Sequence, residues 1–315
     1  MPKTPRLTLL RGAALALLLG AGLAGAGGQA RAAEAGPAPV TAPVQPAEPY
    51  RSVKLADDLW MVSGGTGANV TVMSTDDGLV LVDGKYEDQY AALTKYIREA
   101  ISPKRILYVI TTHYHNDHSG TNGQFRRDGV NVISATRGRD NILNGVQPGA
   151  KNMVPANITF DGEMRLYFAG KEVRLKHYPS AHTGTDVVVF FPQQKVICVG
   201  DLTLFIPPQM KLELPPGPID YAGGGGIGPW IDVLQDIAST EGYDKVVPGH
   251  GVIGGKAEVL AYRDKLIGAR TRIAAFLREG GKTEADLNAY LAKTEHWQEL
   301  FIARAGHGLY WDLKP

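Results

Sequence analysis

Short apolar runs alternate along the chain with stretches in which apolar residues recur at helical spacing. In the first half, runs bounded by turn residues predict strands at residues 59–62, 69–74, 79–82, 106–111 and 130–134. A helix over residues 86–101 is predicted from four apolar residues at helical spacing, namely Tyr90, Leu93, Ile97 and Ile101. Pro103 ends this helix, and a second helix is predicted near residues 121–128.

The second half of the chain repeats this arrangement. Its predicted strands are at residues 163–168, 172–178, 186–191, 195–199 and 245–247, the third and fourth forming a hairpin. Its predicted helices are at residues 229–240 and 256–278, with one or two more over 283–303. Two similar halves of strands and helices predict an α/β fold in which two sheets pack together with helices outside.

The first 32 residues have the pattern of a secretory signal peptide. A basic start precedes an apolar stretch over residues 12–26, and Ala30-Arg31-Ala32 offers an A-x-A cleavage pattern. The apolar stretch is shorter than the ~20 residues of a membrane helix, so we expect no stable membrane insertion after cleavage. Retention as an uncleaved anchor is the alternative. The pattern is typical of bacterial export and predicts a periplasmic or secreted protein.

A Pro/Ala-rich segment over residues 33–49 predicts an extended linker, because it lacks core-forming side chains. The folded domain is therefore expected to span residues 50–315, with a helical C-terminal extension from about residue 280. A chain of 315 residues with 44% hydrophobic content can form one large core or two modest ones.

Charge and cysteine content exclude some classes of protein. Without residues 1–32, which hold four basic residues and no acid, 29 Lys and Arg face 32 Asp and Glu. This mildly acidic body gives no electrostatic reason to expect nucleic-acid binding. Cys198 is the single cysteine, which rules out an intramolecular disulfide. We expect stability to come from packing, with a contribution from metal if one is bound.

The densest chemistry in the sequence is the run His113-Tyr114-His115-Asn116-Asp117-His118, directly after the strand at 106–111. Four potential metal ligands fall within these six residues. Neutral imidazole and carboxylate groups are common zinc ligands, and clusters of them mark metal sites. The run therefore predicts a metal centre at the end of this strand.

Three later residues are placed to reach the same site. His182 precedes the hairpin and Asp201 follows it, and antiparallel strands bring their open ends together. His250 follows the short strand at 245–247, between two glycines that let the backbone turn sharply. Each histidine alone is more typical of an ordinary loop. Together, each at the end of a strand, they support one site.

These motifs resemble the metallo-β-lactamase superfamily, in that family's order and over roughly residues 55–275. They are His-x-His-x-Asp-His, the later His-Thr-Gly, the Gly-Asp after a hairpin, and Pro-Gly-His-Gly. The resemblance implies an αββα four-layer sandwich of two mixed sheets, with the site at the sheet edge. Asp83 also stands where the family keeps a buried aspartate that supports the first ligand loop. The motifs place the chain between the β-lactamase and glyoxalase II-like branches.

The resemblance also implies the ligand set. One metal takes His113, His115 and His182, and the other takes Asp117, His118 and His250. Asp201 bridges both metals or binds the second, and Asp117 also orients the nucleophile. Nitrogen and oxygen ligands suit two Zn²⁺ ions, with iron or manganese as alternatives.

Several features depart from the β-lactamase pattern. Asp201 stands where that branch usually has cysteine, and Cys198 cannot replace it, because an odd separation along a strand points side chains to opposite faces. Cys198 is therefore interpreted as a buried apolar residue. The turn at 63–67 is short and glycine-rich, and no lysine lies in 202–210, where lactamases often hold one. The tail after residue 275 is too short for the glutathione-binding domain of a glyoxalase II.

These observations favour a secreted dinuclear zinc hydrolase. It would use a metal-bridging hydroxide on a small ester, thioester, lactone or β-lactam substrate. There are two alternatives. One is a mononuclear iron dioxygenase of the same superfamily that acts on sulfur compounds, and the other is a non-catalytic metal-binding accessory protein. We expect a small-molecule substrate and no nucleic acid, whereas the sequence does not indicate an oligomeric state. Aromatic residues that either line the pocket or pack in the core are Tyr114, Phe205, Tyr221 and Trp230. His177, His296 and His307 are expected to bind no metal.

Overall fold

The computed structural model describes residues 48–147, 153–206 and 218–315. The predicted signal peptide and most of the predicted linker lie outside these residues. The strands are β1 Glu48–Ala56, β2 Leu59–Gly65, β3 Val70–Ser74, β4 Leu79–Val82, β5 Ile106–Ile110, β6 Asn131–Ala135, β7 Ile158–Phe160, β8 Glu163–Phe168, β9 Lys171–Tyr178, β10 Asp186–Phe191, β11 Val196–Phe205 and β12 Lys245–Gly251. The helices are α1 Tyr90–Ala100, α2 Asn116–Ser119, α3 Asn122–Arg127, α4 Thr136–Leu143, α5 Ile227–Ser239, α6 Lys256–Arg278, α7 Glu284–Lys293 and α8 Glu299–Leu313. A 3₁₀ turn at Glu87–Gln89 precedes α1.

The strands form two mixed sheets. The first has seven strands in the order β1-β2-β3-β4-β5-β6-β7, antiparallel up to β4 and parallel from β4 to β7. The second has five in the order β12-β11-β10-β9-β8, of which only the β11–β12 pair is parallel. The two halves predicted from the sequence thus correspond to two sheets.

Alternating side chains divide the core into layers, because successive residues of a strand point to opposite faces. On β4, Val80 and Val82 pack between the sheets, whereas Leu79 and Leu81 pack toward α1 and α3. On β10, Val189 faces the other sheet and Val188 faces the helices that follow β11. The order helix, sheet, sheet, helix confirms the predicted αββα sandwich.

Some elements escaped the sequence pattern. β1 is an edge strand that begins two residues before the expected start of the domain, and its side chains are mostly exposed. α4 is polar and β7 has three residues, so neither produces a clear apolar period. The helix predicted near 121–128 is α3, and a further short helix that was not predicted, α2, lies just before it. β11 runs to Phe205, six residues beyond its predicted end, and so contains Asp201.

Cys198 lies between the sheets, as its strand register predicted. It is buried, and its thiol donates to Oγ1 of Thr71 at 3.1 Å. Within the described ranges, no helix combines the length and the apolar character needed to cross a membrane.

We expect a thiol reagent to detect no cysteine in the native protein. Burial raises the pKa of Cys198 to about 12, so almost no reactive thiolate exists at neutral pH. Titration with a chromogenic disulfide at pH 8 should give no thiol per chain in buffer and one in denaturant. Rapid native reaction would place Cys198 outside the core.

Candidate metal centre

The first ligand loop is fixed by Asp83. This residue directly follows β4 and has a positive φ of 64°, a conformation that aspartate tolerates better than most residues. Its Oδ1 accepts from the backbone N of Thr112 at 2.7 Å, and its Oδ2 accepts from Thr112 Oγ1 at 2.9 Å. Oδ2 also contacts Nδ1 of His118 at 2.8 Å. Asp83 therefore orients the loop after β5 and turns Nε2 of His118 toward the site.

The structure brings His113, His115 and His182 into one buried group. Nε2 of His113 lies 3.0 Å from Nδ1 of His115, and Nε2 of His182 lies 3.2 Å from the same atom. The first two histidines come from the loop after β5, and His182 comes from the loop before β10. The two sheets thus contribute to this group together.

Asp117, His118, Asp201 and His250 form a second group beside the first. Nε2 of His250 lies 3.0 Å from Oδ2 of Asp117, and Nε2 of His118 lies 3.3 Å from Oδ1 of Asp201. In each group the potential ligand atoms lie within 4.8 Å of one another. All seven residues singled out in the sequence therefore converge on one end of the sandwich.

Asp201 lies between the two groups. Its Oδ1 faces His118 and His250, at 3.3 and 3.6 Å, and its Oδ2 lies 3.9 Å from Nε2 of His182. One carboxylate oxygen thus points to each group. This placement suits a ligand shared by two cations.

Hydrogen bonds among the seven side chains do not satisfy all of their polar atoms, whereas bound cations would. Three imidazole nitrogens of the first group converge at 3.0–3.2 Å, although neutral rings have only one N–H each to donate. In the second group, Nε2 of His118 and Oδ1 of Asp201 are buried without a well-formed hydrogen bond. Buried polar atoms are normally satisfied, so cations at the two centres account for this arrangement.

The two groups differ in their electrostatics. Burial and, after it, the neighbouring His115 together lower the pKa of His182 to about 3, and burial also holds the pKa of His113 well below its usual value. Both rings are therefore neutral, as metal ligands must be. In the second group burial opposes ionisation of Asp117 and Asp201, but their histidine neighbours hold both carboxyl pKa values below the ordinary range.

Sequence reasoning missed Asp220. Its buried carboxylate contacts Nε2 of His115 through Oδ2 at 2.9 Å and accepts the Tyr114 hydroxyl on the same oxygen. The backbone N of Gly223 donates to Oδ1 at 2.9 Å. Because Asp220 contacts Nε2, the other ring nitrogen of His115, Nδ1, is left to face His113 and His182. It lies in an irregular loop before α5 with no motif around it, so the sequence held no signal for it.

We expect Asp220→Asn to weaken zinc binding by about 10- to 100-fold, since groups that orient a ligand histidine typically matter this much. Competition with a chromogenic zinc chelator measures the effect. Asp236→Asn is the matched control, because Asp236 also accepts a tyrosine hydroxyl, from Tyr178 at 2.6 Å, but lies on α5 outside the site. Equal zinc affinity in the two variants would show that Asp220 does not orient His115.

The candidate aromatic residues mostly pack in the core. Trp230 is fully buried, with its ring centroid 5.4 Å from that of His182 and its Nε1 donating to the carbonyl of Leu202 at 3.0 Å. Tyr114 and Phe205 are also buried, and Tyr221 is half-buried against α8. The three remaining histidines in the described residues belong to neither group. They are His177, His296 and His307.

Comparison with known proteins agrees with this geometry. A family model for the metallo-β-lactamase superfamily matches residues 63–251. A type 2 metallo-β-lactamase of Elizabethkingia meningoseptica is 32% identical over 157 residues, which span 47% of this chain and 59% of that protein. One from Bacillus cereus is 27% identical over 207 residues, which span 63% of this chain and 73% of that protein.

Solved structures show the same fold. A metallo-β-lactamase from Pontibacter korlensis superposes with a TM-score of 0.59 at 19% identity, covering 70% of this chain and 99% of that one. FIM-1 from Pseudomonas aeruginosa, in its mono-zinc form, gives a TM-score of 0.58 at 18% identity, covering 72% of this chain and 99% of that one.

An αββα sandwich with two His/Asp groups at one end defines the class of a metallo-hydrolase fold with a candidate dinuclear site. The matched region covers more than half of the chain and contains all seven candidate ligands, so the chain belongs to the metallo-β-lactamase superfamily. Family and relatives together support the metal-dependent hydrolase predicted from the sequence.

Proposed function

We propose that the protein is a dinuclear zinc hydrolase of small acyl substrates. The observation that carries the proposal is the convergence of seven histidine and aspartate side chains into two adjacent groups with Asp201 between them. His113, His115 and His182 would hold one ion, and Asp117, His118 and His250 the other. When bound, such ions lower the pKa of water toward neutrality and polarise a scissile carbonyl.

The side chains around the ions have separate tasks in this proposal. Asp117 is ionised and contacts His250. It would also orient the attacking water by accepting a hydrogen bond from it. Asp83 and Asp220 hold His118 and His115 in the orientation that ligation requires. Water then adds across the acyl bond of an ester, thioester, lactone or β-lactam. The products are a carboxylate and an alcohol, thiol or amine.

The donor set supports zinc and catalysis. It contains only nitrogen and oxygen, which suit zinc first and iron or manganese next, and FIM-1, a structural neighbour, has been solved with one zinc. A structural zinc is usually enclosed by four protein ligands. Seven ligands shared by two ions leave coordination positions for water and substrate, which favours an enzyme over an accessory protein.

The proposal includes export. The N-terminal pattern and the bacterial origin of the similar proteins support a periplasmic or secreted location. The mildly acidic body supports a small-molecule substrate rather than a nucleic acid. The domain would comprise residues 50–315, preceded by the first two residues of β1, with α7 and α8 as its helical extension.

Metal analysis and a substrate panel test the proposal together. Full-length protein purified without added metal should contain about two zinc per chain. It should hydrolyse at least one of a chromogenic cephalosporin, a glutathione thioester and a homoserine lactone, with a phosphodiester as the fourth probe. A chelator should abolish turnover and added zinc should restore it. One iron per chain with oxygen uptake would favour the dioxygenase, and bound metal without turnover would favour the accessory protein.

A further inference from the structure

Two of the seven candidate ligands are less enclosed than the other five. Asp117 and His250 have side chains that are 18% and 30% exposed, whereas the remaining five residues are buried. Both belong to the second group, and Nε2 of His250 lies 3.0 Å from Oδ2 of Asp117. Because packing confines these two side chains less, their position depends more on how the backbone that carries them is held.

The backbone of Asp117 is held by a short stretch that leads into β3. This stretch, Gly67-Ala68-Asn69, is called the 67–69 segment below. The backbone N of Ala68 donates to the carbonyl of Asp117 at 3.1 Å. Gly67 has a φ of 91°, and a β-carbon there would lie 2.9 Å from the same carbonyl oxygen. The segment therefore lies directly against the ligand loop.

Asn69 holds the backbone on both sides of His250. Its backbone N donates to the carbonyl of Gly249 at 2.6 Å. Its side-chain Nδ2 donates to the carbonyls of Pro248 and Gly251, each at 3.1 Å. Three hydrogen bonds from one residue beside the first sheet thus fix the end of β12 in the second sheet.

A buried lysine holds the 67–69 segment from the interior. Lys85 is 1% exposed, and its Nζ donates to the carbonyl of Ala68 at 2.5 Å and to that of Gly67 at 3.5 Å. The ring of Tyr50 covers another side of the ammonium, with its centroid 5.7 Å from Nζ. Lysine is almost never fully buried unless it is paired. Lys85 also has a positive φ of 71°, a strained conformation that persists only where the surrounding structure requires it.

We propose that Lys85 and Asn69 are positioning residues for the second cation: they fix the 67–69 segment, which in turn fixes Asp117 and His250 relative to each other. This role presupposes the two-cation centre of the proposed hydrolase. The ligands of the first group are all buried, so affinity for the first cation should depend much less on this segment.

Stepwise zinc binding to the metal-free, full-length protein tests this role apart from turnover. Calorimetric titration of the wild type should show two binding steps, and the step that His250→Ala loses identifies the second cation. Asn69→Ala removes two side-chain hydrogen bonds but keeps the backbone N–H. It should weaken the second step by about 10- to 100-fold, as is usual for a group that orients a metal ligand, and leave the first step unchanged. Lys85→Met should weaken the same step.

Lys256→Met is the matched control. Lys256 is half-buried, and its Nζ donates to the carbonyl of Thr240 at 2.6 Å, so this variant also removes a contact between a lysine and a carbonyl. It lies at the start of α6, outside both ligand groups. Both zinc-binding steps should be as tight in this variant as in the wild type.

Selectivity for one step separates positioning from a general effect on stability. Equal weakening of both steps in Asn69→Ala and Lys85→Met would overturn the positioning role, because a loosened fold affects every ligand. A second step as tight as in the wild type would overturn the role of the residue that was changed. Asn69 is half-buried and its variant makes the smaller change, so it gives an answer even if Lys85→Met fails to fold.

The proposed hydrolase and the positioning role fail in different ways. If the second step is weakened selectively but the wild type hydrolyses no acyl substrate, the hydrolase is wrong and the positioning role stands. If the wild type hydrolyses an acyl substrate and neither variant weakens the second step, the hydrolase stands and the positioning role is wrong. A wild type that binds a single zinc would overturn both.

Discussion

Asp201→Ala is expected to reduce the zinc content from about two ions per chain to one and to remove nearly all hydrolysis. Asp201 has one carboxylate oxygen toward each group, so its loss removes a ligand and the negative charge between them. Groups that only orient a ligand matter by about 10- to 100-fold, so the loss of this carboxylate should exceed the upper end of that range. Metal analysis measures the zinc content, and the initial rate of substrate hydrolysis measures the activity.

His296→Ala is the control for this change. His296 lies between α7 and α8, outside both groups, so its replacement should leave two zinc per chain and full activity. A lost ion in this variant would mean that a ligand has been misplaced. Unchanged turnover in Asp201→Ala would refute the role given to Asp201.

Gly249→Ala should be nearly as damaging, although it adds a single methyl group. A β-carbon at this position would lie 2.1 Å from Oδ1 of Asp201 and 2.7 Å from Cε1 of His118. The backbone cannot retreat easily, because the carbonyl of Gly249 accepts from the N of Asn69 at 2.6 Å. We expect Asp201 to be displaced, the second ion to be lost, and unfolding to become easier by about 1–3 kcal/mol, the usual cost of overpacking.

Gly228→Ala separates this steric effect from the general effect of replacing glycine. Apart from its chain neighbours and the backbone of its own helix, no heavy atom lies within 4 Å of a β-carbon at Gly228, which is in the first turn of α5. This control should keep both ions and change the stability by no more than about 1 kcal/mol, because the helix preference of alanine over glycine is opposed by the contact of its β-carbon with the following Pro229. Thermal unfolding and metal analysis of the two variants provide the comparison. Two zinc ions and full turnover in Gly249→Ala would contradict the packing described.

The sequence was sufficient to locate the candidate centre because its ligands follow strands. Each ligand motif comes after an apolar run or beside a hairpin, so strand geometry predicted that His182 and Asp201 would approach each other. The register argument also placed Cys198 on the opposite face, in the core. Local sequence patterns therefore predicted the position of a ligand wherever a strand ends at the site.

The supporting residues could not be predicted in this way. Asp220 has no motif, and it reaches the centre only because of how the chain packs. It lies in an irregular loop before α5, far along the sequence from the His115 ring that it contacts. Edge strand β1 and helix α4 were missed for a different reason, since neither has a clear apolar period: the side chains of β1 are mostly exposed and α4 is polar.

Each ligand group combines residues from both sheets, and this has a consequence for the order of assembly. A chain whose halves have not yet docked presents at most an incomplete set of donors to either ion. Zinc binding should therefore come late in folding, after the two sheets have packed together. The bound ions would then stabilise the packed sheets and slow unfolding. Scarcity of zinc would shorten the lifetime of the protein as well as silence it.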